Sequence, residues 1–355
     1  MSIEAGAEKR RGKRVIGERR TGTISQTPMM VKEAYTIEEA FNLFLRVKEA
    51  ENVKPRTRKE YDVQYRYFTE WFDGYAPNVT CIQEITTSMI RDYIHYLAYE
   101  RTKYEGNPYK KDEYKQEKGL SPYTVNIRIR FLKSWFNVLV KERILPSSPM
   151  QTIKLMKVDE DTKEPLTEEE VRLLLKQPNQ RLYAQYRDYV MMTLFIDSGM
   201  RVNEVCALDV DDIDFKSRYI HLPATKNKNR KTRIIPLSSE TIRLILELIN
   251  ETKQYFDTNA VFVSNFGERL TIDAIRSSLY KYAKKAGIKK TVSPHSFRRF
   301  YAKQCSLNGM DIFTLQRTLG HADISTTRKY IQLEKEDLIR QHNLYSPLQR
   351  IRNRK

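Results

Sequence analysis

The sequence predicts a mainly α-helical protein of two domains, the second carrying one small antiparallel β-hairpin. Three observations carry that expectation. Apolar residues recur at helical spacing in four successive stripes before residue 150. A charged stretch with proline at both ends, Pro146 to Pro165, then interrupts the pattern. In the second half, one pair of strand-like runs breaks a helical pattern that resumes after it. The chain has 355 residues, enough for two substantial cores, and its 40% apolar content favours a folded protein.

Residues 1–33 read as a basic flexible arm, because the first twenty hold seven Lys/Arg against three Glu with no apolar period. Residues 34–150 read as a helical domain. Its first stripe (Ile37, Ala40, Phe41, Phe44, Leu45, Val47) follows Thr36, a cap with Glu39 three residues on. The second (Tyr61, Tyr65, Phe68, Trp71, Phe72) follows Thr57, and the third runs from Met89 to Leu97. The fourth (Val125 to Leu139) opens at Ser121-Pro122, a cap with proline at the first helical position. These aromatic stripes read as core. Arg101 to Gly119 has no period and is long for a loop, which makes it a disordered or DNA-contacting segment.

Residues 151–165 form the expected linker, 166–335 the second domain and 336–355 a basic tail. Thr167 and Glu170 mark a capping box that opens the second domain. Tyr219-Ile220-His221-Leu222 and Thr232 to Leu237 flank the basic tip Lys226 to Lys231 of the hairpin. Stripes at Ile242–Leu248, Ile272–Tyr282 and Phe297–Tyr301 return to helix. The acidic run Asp209, Asp211, Asp212 and Asp214 reads as a solvated turn.

Composition narrows the partners. The formal charge is +18 and the pI is near 9.6. Such a balance points to a polyanion, nucleic acid before an anionic membrane surface. No apolar run approaches the ~20 residues of a spanning helix. The basic N-terminus lacks the apolar core of a secretory signal. Cys81, Cys206 and Cys305 are odd in number and widely spaced, which fits reduced, buried thiols and a cytoplasmic protein; no pair has metal-ligand spacing.

Five residues in the second half suit phosphodiester chemistry. Arg201 follows Gly199 at a helix junction, with Glu204 a turn later to orient it. His295 and Arg298 share one face near a helix start. His321 follows Gly320, and Tyr330 stands nine residues beyond, after a Ser/Thr group suited to capping. An attacking phenol with a pKa near ~10 needs its proton removed. Two guanidiniums neutralise the pentacoordinate phosphorus, and a lysine or histidine protonates the departing oxygen. No cofactor or metal is required by this set.

The ordered boxes Ser198-Gly-Met-Arg201-Val-Asn-Glu204, His295-Ser-Phe-Arg298, Leu319-Gly-His321 and Tyr330 resemble the tyrosine recombinase (phage integrase) family. Lys54 to Tyr61, Ser121 to Asn126 and Leu166 to Val171 resemble the same family, so the likeness covers about residues 35–335. It implies a helical, SAM-like core-binding domain followed by an α-rich catalytic domain with a small antiparallel sheet. It implies Tyr330 as the nucleophile of a 3′-phosphotyrosyl link, Arg201 and Arg298 on the scissile phosphate, and His295 and His321 in support. A hairpin lysine would be the general acid. Counting from the first strand gives Lys226, the preferred choice; counting back from Pro236 gives Lys228. The residue after Arg298 is Arg299, where the family often has histidine. The resemblance further implies double-stranded DNA with inverted core repeats, a homotetramer on DNA that exchanges C-terminal segments, and accessory DNA-bending or directionality proteins. The arm and the long loop lean toward the integrase or transposase of a mobile element, acting in integration, excision or transposition. Two other classes compete: a catalytically silent DNA-binding regulator on this scaffold, and a metal-dependent transposase or nuclease using the acidic run.

Overall fold

Two compact units, residues 1–161 and 162–355, divide the chain. The computed structural model describes residues 34–103, 117–158, 164–227, 229 and 231–327 with their side chains, 328–330 as backbone, and isolated positions toward both termini. Of the expected arm, only two-residue strands β1 (Lys9–Arg10) and β2 (Lys13–Arg14), paired antiparallel, are described; the rest, and most of the expected tail, lie outside the described residues.

Among the described residues, four α-helices build the first unit. α1 (Ile37–Ala50) opens on the expected capping box: Thr36 Oγ1 accepts from the Glu39 amide at 3.1 Å, and the Glu39 carboxylate accepts from the Thr36 amide at 3.0 Å. α2 (Pro55–Tyr75) starts two residues ahead of Thr57, because Pro55 supplies the preset φ of a first helical position. α3 (Thr87–His95) runs on into a π-helical stretch, Tyr96–Glu100. α4 (Pro122–Lys141) is capped by Ser121, whose hydroxyl accepts from the Thr124 amide at 3.3 Å. The aromatic stripes are core, as expected: Phe44, Phe68, Phe72, Trp135 and Phe136 are at most 1% exposed. Phe41 stacks on Tyr65 with ring centroids 3.8 Å apart, and both meet Trp135 edge-on. Burying each such side chain stabilises by roughly 1.5–3 kcal/mol.

The stretch from Arg101 to Gly119 is closed at its neck by a bridge between Thr102 and Lys118 and an ion pair between Lys103 and Glu117; residues 104–116 lie outside the described residues. The first part of the expected linker is not free. Asn126, buried in α4, holds the Met156 backbone with both side-chain atoms, at 2.9 and 2.8 Å, and Ile153 is buried.

In the second unit, α5 (Glu168–Leu175) begins at the expected Thr167–Glu170 box. α6 (Tyr183–Ser198) is its centre, buried on several faces at Val190, Met191, Met192, Leu194 and Phe195. After α7 (Val202–Cys206) comes a three-stranded antiparallel sheet in the order β3 (Ile213–Asp214), β4 (Tyr219–Leu222), β5 (Arg233–Pro236). Ile220 pairs with both Ile213 and Ile235, so three isoleucines fix the register across one face. α8 (Ser239–Lys253), α9 (Ile272–Lys285), α10 (Pro294–Leu307), α11 (Ile312–Leu319) and α12 (Ile324–Tyr330) follow. Two expectations need correction. The acidic run is a solvated turn only in part: in the 3-10 turn (Val210–Asp212) that leads into β3 Asp211 is exposed, whereas Asp209 and Asp212 pair with Lys226, and Asp209 also with Arg269. Of the three free cysteines, Cys206 is buried, but Cys81 and Cys305 are only half-buried. Among the described residues, no helix is long and apolar enough to cross a membrane.

Candidate active site

Two glycines make the site possible. Gly199 ends α6 with φ of 59°, and a Cβ there would meet Tyr301 of α10 at 2.6 Å. Gly320 ends α11 with φ of 66°, and a Cβ there would meet the Arg233 guanidinium at 2.6 Å. Both positions need the left-handed backbone and the absent side chain. The carbonyls beside these turns point inward and become acceptors. Arg298 of α10, 1% exposed, donates to the Gly199 carbonyl and the Leu319 carbonyl, each at 2.7 Å. Arg201, at the start of α7, donates to the Gly320 carbonyl at 3.0 Å. Segments far apart in sequence thus meet at the expected arginines.

Glu204 binds the arginines together. Its carboxylate, 1% exposed, takes Arg201 Nη1 at 3.0 Å and the Arg201 amide at 2.8 Å. Arg233 of β5 closes on it with both Nη atoms, at 3.0 and 2.7 Å. Burial alone would raise the Glu204 pKa; the charges and hydrogen bonds of Arg233 and Arg201 outweigh it and hold the carboxyl below its ordinary range. The pair Arg201–Glu204 is therefore part of a buried network rather than a surface ion pair.

His321 lies against Arg298. Arg298 Nη2 and His321 Nε2 are 2.7 Å apart, and His321 Nδ1 is 2.9 Å from the Thr327 hydroxyl of α12. A guanidinium only donates, so Nε2 accepts and Nδ1 carries the proton. Burial first, then the charges of Arg298, Arg201 and Arg233, push the His321 pKa down to about 3, so the ring is neutral. The sign of the linkage follows. The unfolded chain protonates this histidine near pH 6.5 and the folded one does not until about 3, so its contribution is complete above pH 6.5 and is lost as pH falls toward 3. The loss approaches ~1.4 kcal/mol per pH unit in that window. Urea unfolding of wild type should therefore weaken more steeply from pH 6.5 to 4 than that of His321→Gln; parallel slopes would remove His321 as the cause.

His295, in the first turn of α10, is exposed. The surrounding protein and then the charges of Arg298, Arg299 and Arg201 lower its pKa, which places it in the field of both site arginines. Tyr330 is the last residue of α12, and its side chain lies outside the described residues. Asp323, rather than the expected Ser/Thr group, receives the amide of Ser325 at the start of that helix, at 2.9 Å.

Lys226 is held by two carboxylates. Lys226 Nζ pairs with Asp209 at 2.5 Å and with Asp212, while Asp209 also takes Arg269 at 2.6 Å. Desolvation would lower its pKa, but the hydrogen bonds to Asp209 and Asp212 hold it above the ordinary lysine value. These two carboxylates are its side-chain partners among the described residues, so Lys226 is not brought to the arginines. Asn229 is: its Nδ2 donates at 2.7 Å to the same Gly320 carbonyl that Arg201 contacts. Lys228 lies outside the described residues.

Sequence reasoning missed Arg233, Asn229 and Thr327. Only Arg233 left a signal. With Ile235 facing the core, strand parity turns Arg233 inward and leaves Ile234 57% exposed, the reverse of the usual polarity.

The phage integrase family model matches residues 164–337, and the phage integrase SAM-like domain matches residues 40–155. The tyrosine recombinase XerC of Chlamydia caviae is 30% identical over 210 residues, covering 58% of this chain and 66% of the relative. That of Chlamydia trachomatis is 31% identical over 233 residues, covering 63% and 73%. Among solved structures, the Tn1549 transposon integrase in complex with a circular intermediate DNA shares the fold at a TM-score of 0.65 and 20% identity, covering 86% of this chain and 98% of that one.

Proposed function

We propose that this chain, which belongs to the phage integrase family of tyrosine recombinases, breaks and rejoins double-stranded DNA at specific sites through a 3′-phosphotyrosyl intermediate. The observation that carries this reading is the convergence of Arg201, Arg298 and His321 on the turns at Gly199 and Gly320. The net charge of +18 suits the polyanionic substrate.

The two arginines divide the work. The Arg201 side chain keeps 15% exposure, while Arg298 is buried. Arg201 presents its fork to a non-bridging phosphate oxygen. Arg298 adds positive charge from beneath and braces the neutral His321, which preorganises the site for the charge that develops on phosphorus. Tyr330 attacks through its phenolic oxygen. His295, exposed and held neutral, takes the phenol proton, because the Nε2 lone pair of His321 already faces Arg298. The P–O5′ bond breaks and the 5′-oxygen takes a proton from a hairpin lysine. The phosphodiester energy remains in the protein–DNA ester, so religation by a 5′-hydroxyl needs no ATP.

For the proton donor, Lys226 and Lys228 remain the two candidates. An ammonium held between Asp209 and Asp212 must leave both carboxylates to act, whereas Asn229 already sits at the site. Lys228, the chain neighbour of Asn229, is the reading these contacts favour. Inverted core repeats, a homotetramer on DNA, an accessory bending or directionality protein and a mobile-element setting complete the proposal. It agrees with a relative in fold that is a transposon integrase bound to DNA.

A nicked suicide substrate tests it. In the presence of EDTA the protein should become covalently attached to the 3′ side of the break and leave a 5′-hydroxyl. Binding without an adduct would favour the silent regulator. Cleavage abolished by EDTA would favour metal-dependent chemistry.

A further inference from the structure

We infer that Arg233 is a positioning residue of the reaction: by neutralising Glu204 it leaves the Arg201 guanidinium free to serve the scissile phosphate. The inference rests on the reading that Arg201 contacts that phosphate.

Glu204 is a fully buried carboxylate, and such a group demands a cation. Two are present. Arg233 gives it a bidentate pair at 3.0 and 2.7 Å, while Arg201 gives it one guanidinium contact at 3.0 Å. Bidentate guanidinium–carboxylate pairs are the stronger form. The side chain of Arg233 is 6% exposed and that of Arg201 is 15% exposed, so Arg233 is the member withdrawn from the surface. Two guanidiniums and one carboxylate sum to +1, and the excess sits on the more open arginine. Removing Arg233 leaves a neutral pair, in which Arg201 is the sole counter-ion and its fork is drawn down onto Glu204.

The setting of Arg233 supports a specific role rather than general packing. It occupies the inward face of β5, which it shares with the buried Ile235, and pairs with the buried Leu222 of β4. Its guanidinium lies against Gly320, the residue whose carbonyl receives Arg201. One side chain thus braces the carboxylate that orients Arg201 and the turn that receives it. A misplacement of about 1 Å in such a group costs on the order of 100-fold in rate.

The experiment measures single-turnover adduct formation at saturating DNA on two suicide substrates. One carries the natural phosphodiester; the other has an uncharged methylphosphonate at the scissile position, where a guanidinium is not needed to neutralise a non-bridging oxygen. Arg233→Met should lose on the order of 100-fold on the phosphodiester. It should lose less than about tenfold on the methylphosphonate, with DNA affinity unchanged, as a defect acting through Arg201 requires. Adding Glu204→Gln removes the buried charge, so the Arg233→Met/Glu204→Gln pair should recover rate over Arg233→Met alone. Arg233→Lys, which keeps the charge, should fall between. Arg201→Ala is the control: equal losses on both substrates by that variant would overturn the Arg201 reading itself. If Arg201→Ala discriminates and Arg233→Met does not, or if the double variant is no faster, Arg233 is structural and the inference fails. Should Arg233→Met not fold, Arg233→Lys decides in its place: a loss confined to the phosphodiester supports the inference, and equal losses on both substrates overturn it.

Discussion

Arg298→Ala is expected to abolish strand cleavage and to destabilise the second unit at the same time. The side chain is 1% exposed and, among the described residues, serves the Gly199 carbonyl, the Leu319 carbonyl and His321 Nε2. Alanine strands all three, and each unsatisfied buried group costs ~1–3 kcal/mol before relaxation. The same change removes a fixed positive charge from the phosphate site, where one donor is typically worth ~10²–10³ in rate. It also releases His321, so the combined loss should reach about 10³-fold or more in single-turnover cleavage. Arg298→Lys separates the two effects. Lysine restores a buried cation and part of the stability, but one ammonium cannot reproduce the planar fork that spans two helix ends. Urea unfolding and adduct kinetics on the same preparations check this. Cleavage by Arg298→Ala within tenfold of wild type would remove Arg298 from the site.

The hairpin lysine carries the second large expectation. A general acid acts on the leaving group, so its loss matters little when that group leaves without a proton. Lys228→Ala should be impaired on normal DNA by the ~10²–10⁴ typical of acid catalysis and largely restored on a 5′-bridging phosphorothiolate. Arg201→Ala should remain impaired on both substrates. Lys226→Ala should show no such rescue, because its ammonium is committed to Asp209 and Asp212. Rescue of Lys226→Ala instead would mean that the lysine leaves its carboxylates on DNA, and the count from the first strand would stand.

These two residues also mark how far the sequence could be read. Arg298 was legible because its chemistry is local: a proline-led helix start puts it one turn after His295, and only its partners are distant. The helices were legible for the same reason. Thr36–Glu39, Ser121–Pro122 and Thr167–Glu170 each declare a helix start within four residues. α2 begins at Pro55, two residues before Thr57, because a preset backbone angle outweighs a side-chain cap. The hairpin was harder. The strands are fixed by Ile213, Ile220 and Ile235, but the long basic turn between Leu222 and Arg233 carries more than one lysine, and counting from its two ends reaches different ones. Arg233 was hidden because its orientation depends on the parity of a four-residue strand, which becomes known only when Ile235 is seen in the core. Asp209 and Asp212 look unpaired in sequence because their partners, Lys226 and Arg269, lie 14 to 60 residues away.

Everything proposed for the site requires Tyr330 to form the covalent bond to DNA. The measurement that bears on it most directly is the mass of the peptide carrying the nucleotide after an adduct is trapped on a nicked substrate in EDTA and digested. One modified peptide is expected, with the remnant nucleotide on Tyr330. Tyr330→Phe should bind the same DNA with unchanged affinity and yield no adduct. A nucleotide on any other residue, or an adduct at wild-type level from Tyr330→Phe, would contradict that role.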